Sequence, residues 1–263
     1  MNGERDLDIR DSGKVRIITI DRPQARNALR LASLRQIGKV LAGMPEELNR
    51  TDGCRALIIT GAGDRAFCAG ADLKEVQALG ADGAADQARL GQELFGELES
   101  TPAVTIAAIN GFALGGGLEL ALACDFRVAA AQAELGQPEV GLGAIPGWGG
   151  TLRLPRLIGL PAAKDLIFGG ERITAARAAS LGLVDAVVDA PKLLDAALEL
   201  AARYTNRSPW AIAQAKEAIQ TGLANPDEGL RAELRFVAER SASGDQAALQ
   251  AFGRRHRVPP TAT

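Results

Sequence analysis

Short apolar runs, separated by turn-forming residues, recur along the first two thirds of the chain and predict buried strands. These runs lie at residues 7–9, 15–20, 56–60, 104–109, 126–130 and 183–188. The first two flank Asp11-Ser12-Gly13, which predicts a β-hairpin that turns at these three residues. The pattern is typical of a sheet whose strands are spread along the chain.

Apolar residues at three- and four-residue intervals predict helices between and after these strands. One helix is predicted to open at Arg26-Asn27-Ala28 and to bury an apolar face made of Leu34, Ile37, Leu41, Met44 and Leu48. Residues 78–91 are rich in Ala, Gly, Asp and Gln, and predict a mobile loop that runs into a helix through Leu98. From residue 151 the chain is mostly helical, with helices predicted at 160–168, 175–181, 191–204, 209–221, 226–241 and 245–252.

Strands and helices alternate to about residue 190 and only helices follow, which predicts an α/β fold with a helical C-terminal appendage. The length of 263 residues agrees with one large domain and an appendage. Hydrophobic residues make up 47% of the chain and charged residues 24%, as in ordinary globular proteins.

The charge balance excludes several classes of function. Thirty Lys and Arg residues nearly offset 32 Asp and Glu residues, for a net charge of −2, so no overall field attracts nucleic acid or an anionic membrane. No apolar run approaches the roughly 20 residues that a membrane helix requires, and residues 1–10 lack an apolar signal core. Cys54, Cys68 and Cys124 are scattered and odd in number, so we expect a reducing compartment and a cytoplasmic protein.

The chain has a single histidine, His256, which lies in the basic segment 254–257. A Ser-His-Asp or Cys-His catalyst would have to use that residue, and a basic tail is a poor place for it. No Cys/His cluster has metal-ligand spacing either. Acid–base chemistry therefore falls to carboxylates, lysines or Tyr204, the only tyrosine.

The stretch from residue 104 to residue 125 carries the clearest candidate chemistry. A predicted strand breaks at Asn110-Gly111 and leads through Gly115-Gly116-Gly117 into a helix predicted at 118–123. Glycines leave backbone N–H groups accessible, and a helix start favours negative charge, so the turn is a candidate anion or oxyanion site. A close strand–helix contact is the structural alternative. Glu119 favours the functional interpretation, because an unpaired carboxylate inside an apolar helix is costly.

Two other segments hold candidate residues. Ala69-Gly70-Ala71-Asp72 again exposes backbone, and Asp72 is a candidate cap for the segment that follows, although a purely structural turn fits equally. Cys68 beside it is interpreted as a small core residue. Glu139 lies in the Gly/Pro-rich segment 133–150, and long loops of this kind are usually functional or mobile. Taken alone, Glu139 would be a solvated loop carboxylate.

Three blocks of residues resemble the crotonase (enoyl-CoA hydratase/isomerase) superfamily. They are Ala69-Gly70-Ala71-Asp72-Leu73-Lys74-Glu75, the Asn110-Gly111…Gly115-Gly116-Gly117-Leu118-Glu119-Leu120 block, and Gln137-Pro138-Glu139 with Ile145-Pro146-Gly147-Trp148-Gly149-Gly150-Thr151. The resemblance covers nearly the whole chain, in matching order and spacing. It implies a crotonase-like spiral of ββα turns over residues 1–195. It also implies a helical C-terminal region, 196–263, that builds a homotrimer or a hexamer made of two trimers.

The resemblance also implies a site. Members act on acyl-CoA thioesters, whose carbonyl oxygen would be held by two backbone N–H groups, by motif position those of Ala71 and Gly116. Glu119 would activate water and Glu139 would exchange the proton at C2. The implied substrate- and CoA-binding residues are Arg26, Ala69, Ala71, Asp72, Leu73, Lys74, Gly115, Gly116, Trp148, Phe252 and Arg255. No cofactor is implied beyond the CoA of the substrate.

Because both glutamates are present, the leading prediction is hydration of a 2-enoyl-CoA, in fatty-acid or branched-chain amino-acid breakdown. The alternatives in the same family are a methylglutaconyl-CoA hydratase, which the segment 117–130 resembles, and an enoyl-CoA isomerase. Trp148 stands where relatives often carry a small residue. Its ring is predicted either to narrow the acyl pocket or to pack under the loop.

Two functions from other classes are alternatives to catalysis. RNA binding, known among methylglutaconyl-CoA hydratase relatives, would need a basic surface with aromatic residues. The net charge of −2 and the 4% aromatic content argue against it, although residues 254–257 form a local basic patch. A catalytically silent scaffold is disfavoured because both glutamates are retained. We therefore expect neither a nucleic-acid partner nor a membrane partner.

Overall fold

The computed structural model describes residues 5–242, apart from the side chain of Asn49. The chain divides into two compact units, the first ending at Ile212 and the second beginning at Ala213. The predicted helix at 245–252, together with Phe252 and Arg255, lies outside the described residues. The sequence-based domain boundary at residue 195 stays a prediction.

Strands in the described chain form two sheets. They are β1 (Leu7–Ser12), β2 (Val15–Ile20), β3 (Ala56–Gly61), β4 (Ala66–Cys68), β5 (Val104–Ile109), β6 (Phe112–Leu114), β7 (Phe126–Ala130), β8 (Glu134–Gly136), β9 (Arg172–Thr174) and β10 (Ala186–Val188). The larger sheet has the order β1-β2-β3-β5-β7-β10, and the smaller has the order β4-β6-β8-β9. In the larger sheet β1 and β2 are antiparallel, as the hairpin prediction requires, and the remaining neighbours are parallel.

Helices lie between these strands and after them along the chain. They are α1 (Leu31–Ala42), α2 (Met44–Asn49), α3 (Leu73–Ser100), α4 (Gly116–Leu122), α5 (Gly150–Ile158), α6 (Leu160–Gly169), α7 (Ala175–Ser180), α8 (Leu193–Thr205), α9 (Pro209–Ala224) and α10 (Pro226–Ala242). Short 3-10 helices lie at Pro23–Ala25, Pro138–Leu142 and Ala190–Lys192. The predicted α/β class with a helical C-terminal part is confirmed. Within residues 5–242, no helix combines the length and apolarity that a membrane span needs.

The inner strands of the larger sheet, β2, β3, β5 and β7, are buried on both faces. Successive residues of a strand point to opposite sides, so each face packs against a different set of side chains. On one face Ile18, Ile59 and Ala107 join the main core with α1 and α4. On the other face Ile17, Ile58 and Ile106 pack against Leu193, Ala197 and Ala201 of α8. The sheet thus holds α4, and with it Glu119, deep inside the first unit.

The prediction that a helix opens at Arg26 is wrong. Arg26 and Asn27 have left-handed backbone conformations, with φ of 52° and 57°, and α1 begins at Leu31. Asn27 is fully buried, and its side-chain nitrogen donates to the carbonyls of Ala62 (3.0 Å) and Ala66 (2.7 Å). These tertiary hydrogen bonds stabilise a bend, which the spacing of apolar residues along the sequence cannot predict.

The prediction of a mobile loop at residues 78–91 is also wrong. The segment is helical within α3 and is interrupted only at Gly80, where φ is 69°. Its Ala-rich stretch has high helix propensity, and the buried positions Gln87, Gly91, Leu94, Phe95 and Leu98 recur at helical intervals. Small residues on the inner face made this amphipathic pattern hard to see.

Candidate active site

Each residue of the Gly115-Gly116-Gly117 turn has its own steric requirement. Gly115 has φ of 53°, a conformation that strains residues with a Cβ, and a Cβ there would lie 3.0 Å from Oε1 of Glu139. A Cβ on Gly116 would lie 2.3 Å from Cζ3 of Trp148, and one on Gly117 would lie 2.0 Å from the carbonyl oxygen of Cys68. Because these three residues have no side chains, α4 can contact β4 closely, and Glu139 and Trp148 can lie against the turn.

Two backbone donors face the same cavity. Within the described part of the chain, the N–H groups of Ala71 and Gly116 donate no backbone hydrogen bond, and both residues line the cavity described below. The two turns touch, since a Cβ on Gly70 would lie 3.2 Å from the nitrogen of Gly116. Leu29 fixes the first turn, because its N–H donates to Gly70 and its carbonyl accepts from Asp72, each at 2.8 Å. This geometry can bind an oxygen that carries negative charge.

Glu119 lies in the first turn of α4 with 1% of its surface exposed. Its Oε1 accepts hydrogen bonds from the backbone N–H groups of Trp148 and Gly150, each at 2.7 Å. Burial raises the pKa of Glu119, and the two N–H donors oppose that shift only in part. The carboxyl group is thus held in one orientation by the backbone of the Gly/Pro-rich loop.

Glu139 lies on the 3-10 helix Pro138–Leu142 and lines the same cavity as Glu119. Burial raises the pKa of Glu139 to about 7, and the nearby charge of Glu119 adds to the shift. The side chain of Gln137 is fully buried, and in the amide orientation that satisfies both groups it donates to Oε1 (2.9 Å) and Oε2 (3.1 Å) of Glu139. Two carboxyl groups in one site with raised pKa values can divide acid and base roles.

The two glutamates and the two donors line one cavity of about 330 Å³. Its walls come from the turn before α3, one face of α3, the glycine turn and the loop between residues 138 and 148. None of the described residues that line it is Lys, Arg or His. Apart from the two glutamates and the amide of Gln87, the walls are apolar side chains and backbone.

The structure brings together most of the site residues implied by the motifs. Glu119, Glu139, Ala69, Ala71, Leu73, Gly115, Gly116 and Trp148 all line the cavity. Arg26, Asp72 and Lys74 are not among the lining residues, and their binding roles stay predictions.

Asp72 and Arg26 have structural partners instead. The predicted cap is confirmed, because Asp72 accepts from the N–H groups of Lys74 and Glu75 at the start of α3. Asp72 also pairs with Arg22 at 2.9 Å, which holds its pKa below the ordinary value despite burial. The carbonyl of Arg26 accepts from the N–H of Ala69 at 3.0 Å, while its side chain is exposed.

The predicted packing of Trp148 under the loop is confirmed, whereas the narrowing of an acyl pocket stays a prediction. Its indole packs beneath the loop with 4% exposure and meets Phe95 edge to face, with ring centroids 5.5 Å apart. The same ring forms part of the cavity wall. Sequence reasoning missed the wall residues of α3, including Ala84, Gln87 and Ala88, because that segment was predicted to be a loop.

Comparison with known proteins identifies the family to which this chain is similar. The enoyl-CoA hydratase/isomerase family model matches residues 10–257. The putative enoyl-CoA hydratase/isomerase YngF of Bacillus subtilis is 45% identical over 244 residues, which cover 92% of each chain. A short-chain-enoyl-CoA hydratase of Clostridium acetobutylicum is 40% identical over 248 residues, which cover 94% of each chain.

Solved structures agree with the sequence relatives. The crystal structure of an enoyl-CoA hydratase from Bacillus anthracis matches with a TM-score of 0.88 and 39% identity, covering 95% of this chain and 97% of that one. The chain therefore belongs to the enoyl-CoA hydratase/isomerase family and has the crotonase-like fold that its motifs predict.

Proposed function

We propose that this protein is an enoyl-CoA hydratase, which reversibly adds water in syn fashion across the C2–C3 double bond of a 2-enoyl-CoA thioester. The observation that carries the proposal is the pairing of the buried carboxyl group of Glu119 and the half-buried one of Glu139 with two unpartnered N–H donors in one apolar cavity. The name of the Clostridium relative, a short-chain-enoyl-CoA hydratase, supports the same reaction.

In the proposed mechanism, the thioester oxygen accepts hydrogen bonds from the N–H groups of Ala71 and Gly116. These donors stabilise the negative charge that develops on that oxygen as C3 is attacked, an effect worth about 10²–10³ in rate for each donor. Glu119 takes a proton from water, and the resulting hydroxyl bonds to C3. Glu139 gives its proton to C2, which completes the addition of one water molecule.

The surroundings of the two carboxyl groups favour these roles. A pKa of about 7 keeps a fraction of Glu139 protonated near neutral pH, so that it can act as an acid. Glu119 is oriented by the N–H donors of Trp148 and Gly150, which stabilise its ionised form. Proton exchange with solvent restores both groups, and the reverse sequence of steps dehydrates a 3-hydroxyacyl-CoA.

The cavity favours an uncharged acyl group over methylglutaconyl-CoA. A methylglutaconyl group carries a second carboxylate, and burying it without a cation is costly. The described lining residues include no cation, and Glu119, Glu139 and the nearby Glu75 would repel it. An enoyl-CoA isomerase is the weaker alternative, because many isomerases of this family manage with one carboxylate.

The other proposed properties of this protein follow from its resemblance to the family. We propose that Arg26, Lys74 and Arg255 contact the CoA portion of the substrate, that no other cofactor takes part, and that the enzyme works in the cytoplasm as a homotrimer or a hexamer. Leu230, Leu234 and Val237 support self-association, because they form an exposed apolar stripe along α10.

Steady-state hydration of four thioesters tests the proposal. We expect crotonyl-CoA to be hydrated, hexenoyl- and decenoyl-CoA to report chain-length preference, and methylglutaconyl-CoA to react poorly. The measurement is loss of the absorbance of the conjugated double bond, with formation of the 3-hydroxyacyl product checked by mass spectrometry. A protein that hydrates none of the four would contradict the proposal.

A further inference from the structure

One face of α3 forms a floor of small residues along the cavity. Ala84 and Ala88 line the cavity, and the next positions on the same face are Gly91 and Phe95, spaced at three- and four-residue intervals. Gly91 and Phe95 are buried but do not line the cavity. The floor therefore continues past the point at which the open space ends.

The indole of Trp148 covers that continuation. A Cβ on Gly91 would lie 2.4 Å from both Cδ1 and Nε1 of the indole, so the ring occupies the space that this glycine leaves open. The opposite edge of the ring lies over Gly116, where a Cβ would be 2.3 Å from Cζ3. The ring of Phe95, one helical turn after Gly91, contacts the indole edge to face. The indole is thus seated between two helices that each provide a glycine for it.

We propose that the indole of Trp148 is the end wall of the acyl-binding cavity and restricts the enzyme to short-chain 2-enoyl thioesters. The inference rests on the proposed function and names its substrate class. The thioester oxygen is placed at the N–H of Gly116, and the indole covers the Cα of that same residue. An acyl chain bound there therefore meets the ring within its first few carbons.

The side chain and the backbone of Trp148 have separate roles. Its N–H orients Glu119, and every non-proline substitution keeps that group. In this proposal, only the indole ring limits the length of the acyl chain that the cavity accepts. Removing the ring is expected to join the cavity to the space above Gly91 and Phe95, which lengthens the apolar floor along α3.

The test compares chain-length preference in Trp148→Ala and in the wild-type protein. A single methylene that an apolar pocket accepts or rejects changes discrimination by about 10- to 200-fold. We expect the ratio of kcat/KM for decenoyl-CoA to that for crotonyl-CoA to rise at least about tenfold. A purely structural role would lower both values together and leave the ratio unchanged.

Three further variants control the comparison. Trp148→Leu removes most of the ring with less loss of buried volume, so a folding defect in Trp148→Ala does not end the test. Trp148→Phe keeps an aromatic wall and is expected to keep a ratio near that of the wild type. Trp210→Ala removes the half-exposed tryptophan of α9 and is expected to leave the ratio unchanged.

Binding of saturated thioesters separates this inference from the proposed function. Decanoyl-CoA and butyryl-CoA carry no double bond, so calorimetric titration reports pocket length whether or not the protein hydrates anything. A rise in the relative affinity for decanoyl-CoA in Trp148→Ala and Trp148→Leu supports the end wall, even if hydration of enoyl-CoA fails. If both variants fold and keep the wild-type ratio of decanoyl-CoA affinity to butyryl-CoA affinity, the end-wall inference is overturned, even if crotonyl-CoA is hydrated.

Discussion

At the scale of single residues, Glu119 and Glu139 are held by different means. Backbone N–H groups fix Glu119, whereas a buried amide, Gln137, faces Glu139. A glutamine in place of either glutamate keeps the size and the acceptor oxygen of the side chain but cannot ionise. Such a substitution removes acid–base chemistry with little change of shape.

We predict that Glu119→Gln and Glu139→Gln each lower kcat for crotonyl-CoA by about 10²–10⁴-fold, the usual range for loss of a general acid or base. The dissociation constant of butyryl-CoA should change only modestly, because the cavity keeps its shape. Stopped-flow or steady-state kinetics give the first quantity and calorimetry the second. Near wild-type turnover by Glu139→Gln would refute its assignment as the C2 acid.

The raised pKa of Glu139 also predicts how stability depends on pH. A carboxyl group whose pKa is about 7 in the folded state and near 4.5 when unfolded binds its proton more tightly in the folded state. Its contribution to stability is therefore present below pH 4.5 and is lost as pH rises towards 7. Ionised Glu139 thus destabilises the fold at alkaline pH.

The Glu139→Gln variant cannot ionise, so it should escape this loss. We expect its melting temperature to exceed that of the wild type at pH 8, with the difference shrinking or vanishing near pH 5. Differential scanning calorimetry at several pH values provides the measurement. A difference between the two proteins that is constant across this pH range would contradict the raised pKa.

At the scale of elements, the start of α4 is held against β4 by close packing. The Cβ of an alanine at position 117 would lie 2.0 Å from a backbone oxygen, that of Cys68, which cannot move aside as a side-chain end could. Gly96 on α3 offers the opposite situation, since nothing lies within 4 Å of a Cβ built there. The two glycines make a matched pair for substitution.

We predict that Gly117→Ala destabilises the protein by about 1–3 kcal/mol, the usual cost of overpacking. Gly96→Ala should stabilise it by about 0.5–1 kcal/mol, because alanine loses less backbone entropy in a helix. Urea unfolding followed by circular dichroism measures both. If Gly117→Ala were as stable as the wild type, the close approach of α4 to β4 would be in error.

The elements that the sequence predicts well are those with a continuous pattern. Strands β2, β3, β5 and β7 are apolar runs because both sheet faces are buried. The three-residue strands of the smaller sheet, such as Ala66–Cys68, are too short to show a period and form through tertiary pairing. The sequence therefore predicts a strand where most of the strand's residues are buried.

The candidate site was predictable in its chemistry but only partly in its walls. Glu119 was marked by its position within an apolar helix, whereas Glu139 would have been a solvated loop carboxylate taken alone and was singled out by the family resemblance. The position of the Trp148 indole was not predictable from the sequence. It depends on the absence of a side chain at Gly91, which is distant in sequence and leaves the space that the ring fills. Likewise, the left-handed turn at Arg26 and Asn27 is held by hydrogen bonds to residues more than one element away.

At the scale of the whole molecule, the proposed assembly depends on exposed apolar residues. Leu230, Leu234 and Val237 are each at least 60% exposed and lie along one face of α10. An exposed apolar stripe of this kind is unfavourable in a protein that remains monomeric. A second copy of the chain is the proposed occupant of this face.

We predict that the wild-type protein sediments as a trimer or a hexamer and that Leu234→Glu shifts it towards the monomer. A charge buried in an apolar interface is costly, which gives the direction of the effect. Analytical ultracentrifugation over a range of concentrations measures the distribution. Glu233→Gln on the same helix is a control with little expected effect, and a monomeric wild-type protein would refute the assembly.

The double use of Trp148 has a consequence for how such enzymes can diversify. The hydrogen bond to Glu119 comes from the peptide unit, which nearly every amino acid provides, whereas the cavity boundary comes from the side chain alone. If the proposed end wall is correct, a single codon change at this position alters which substrates enter while the orientation of Glu119, the proposed base, is inherited unchanged. Evolution is thus able to vary specificity here without first rebuilding the catalyst.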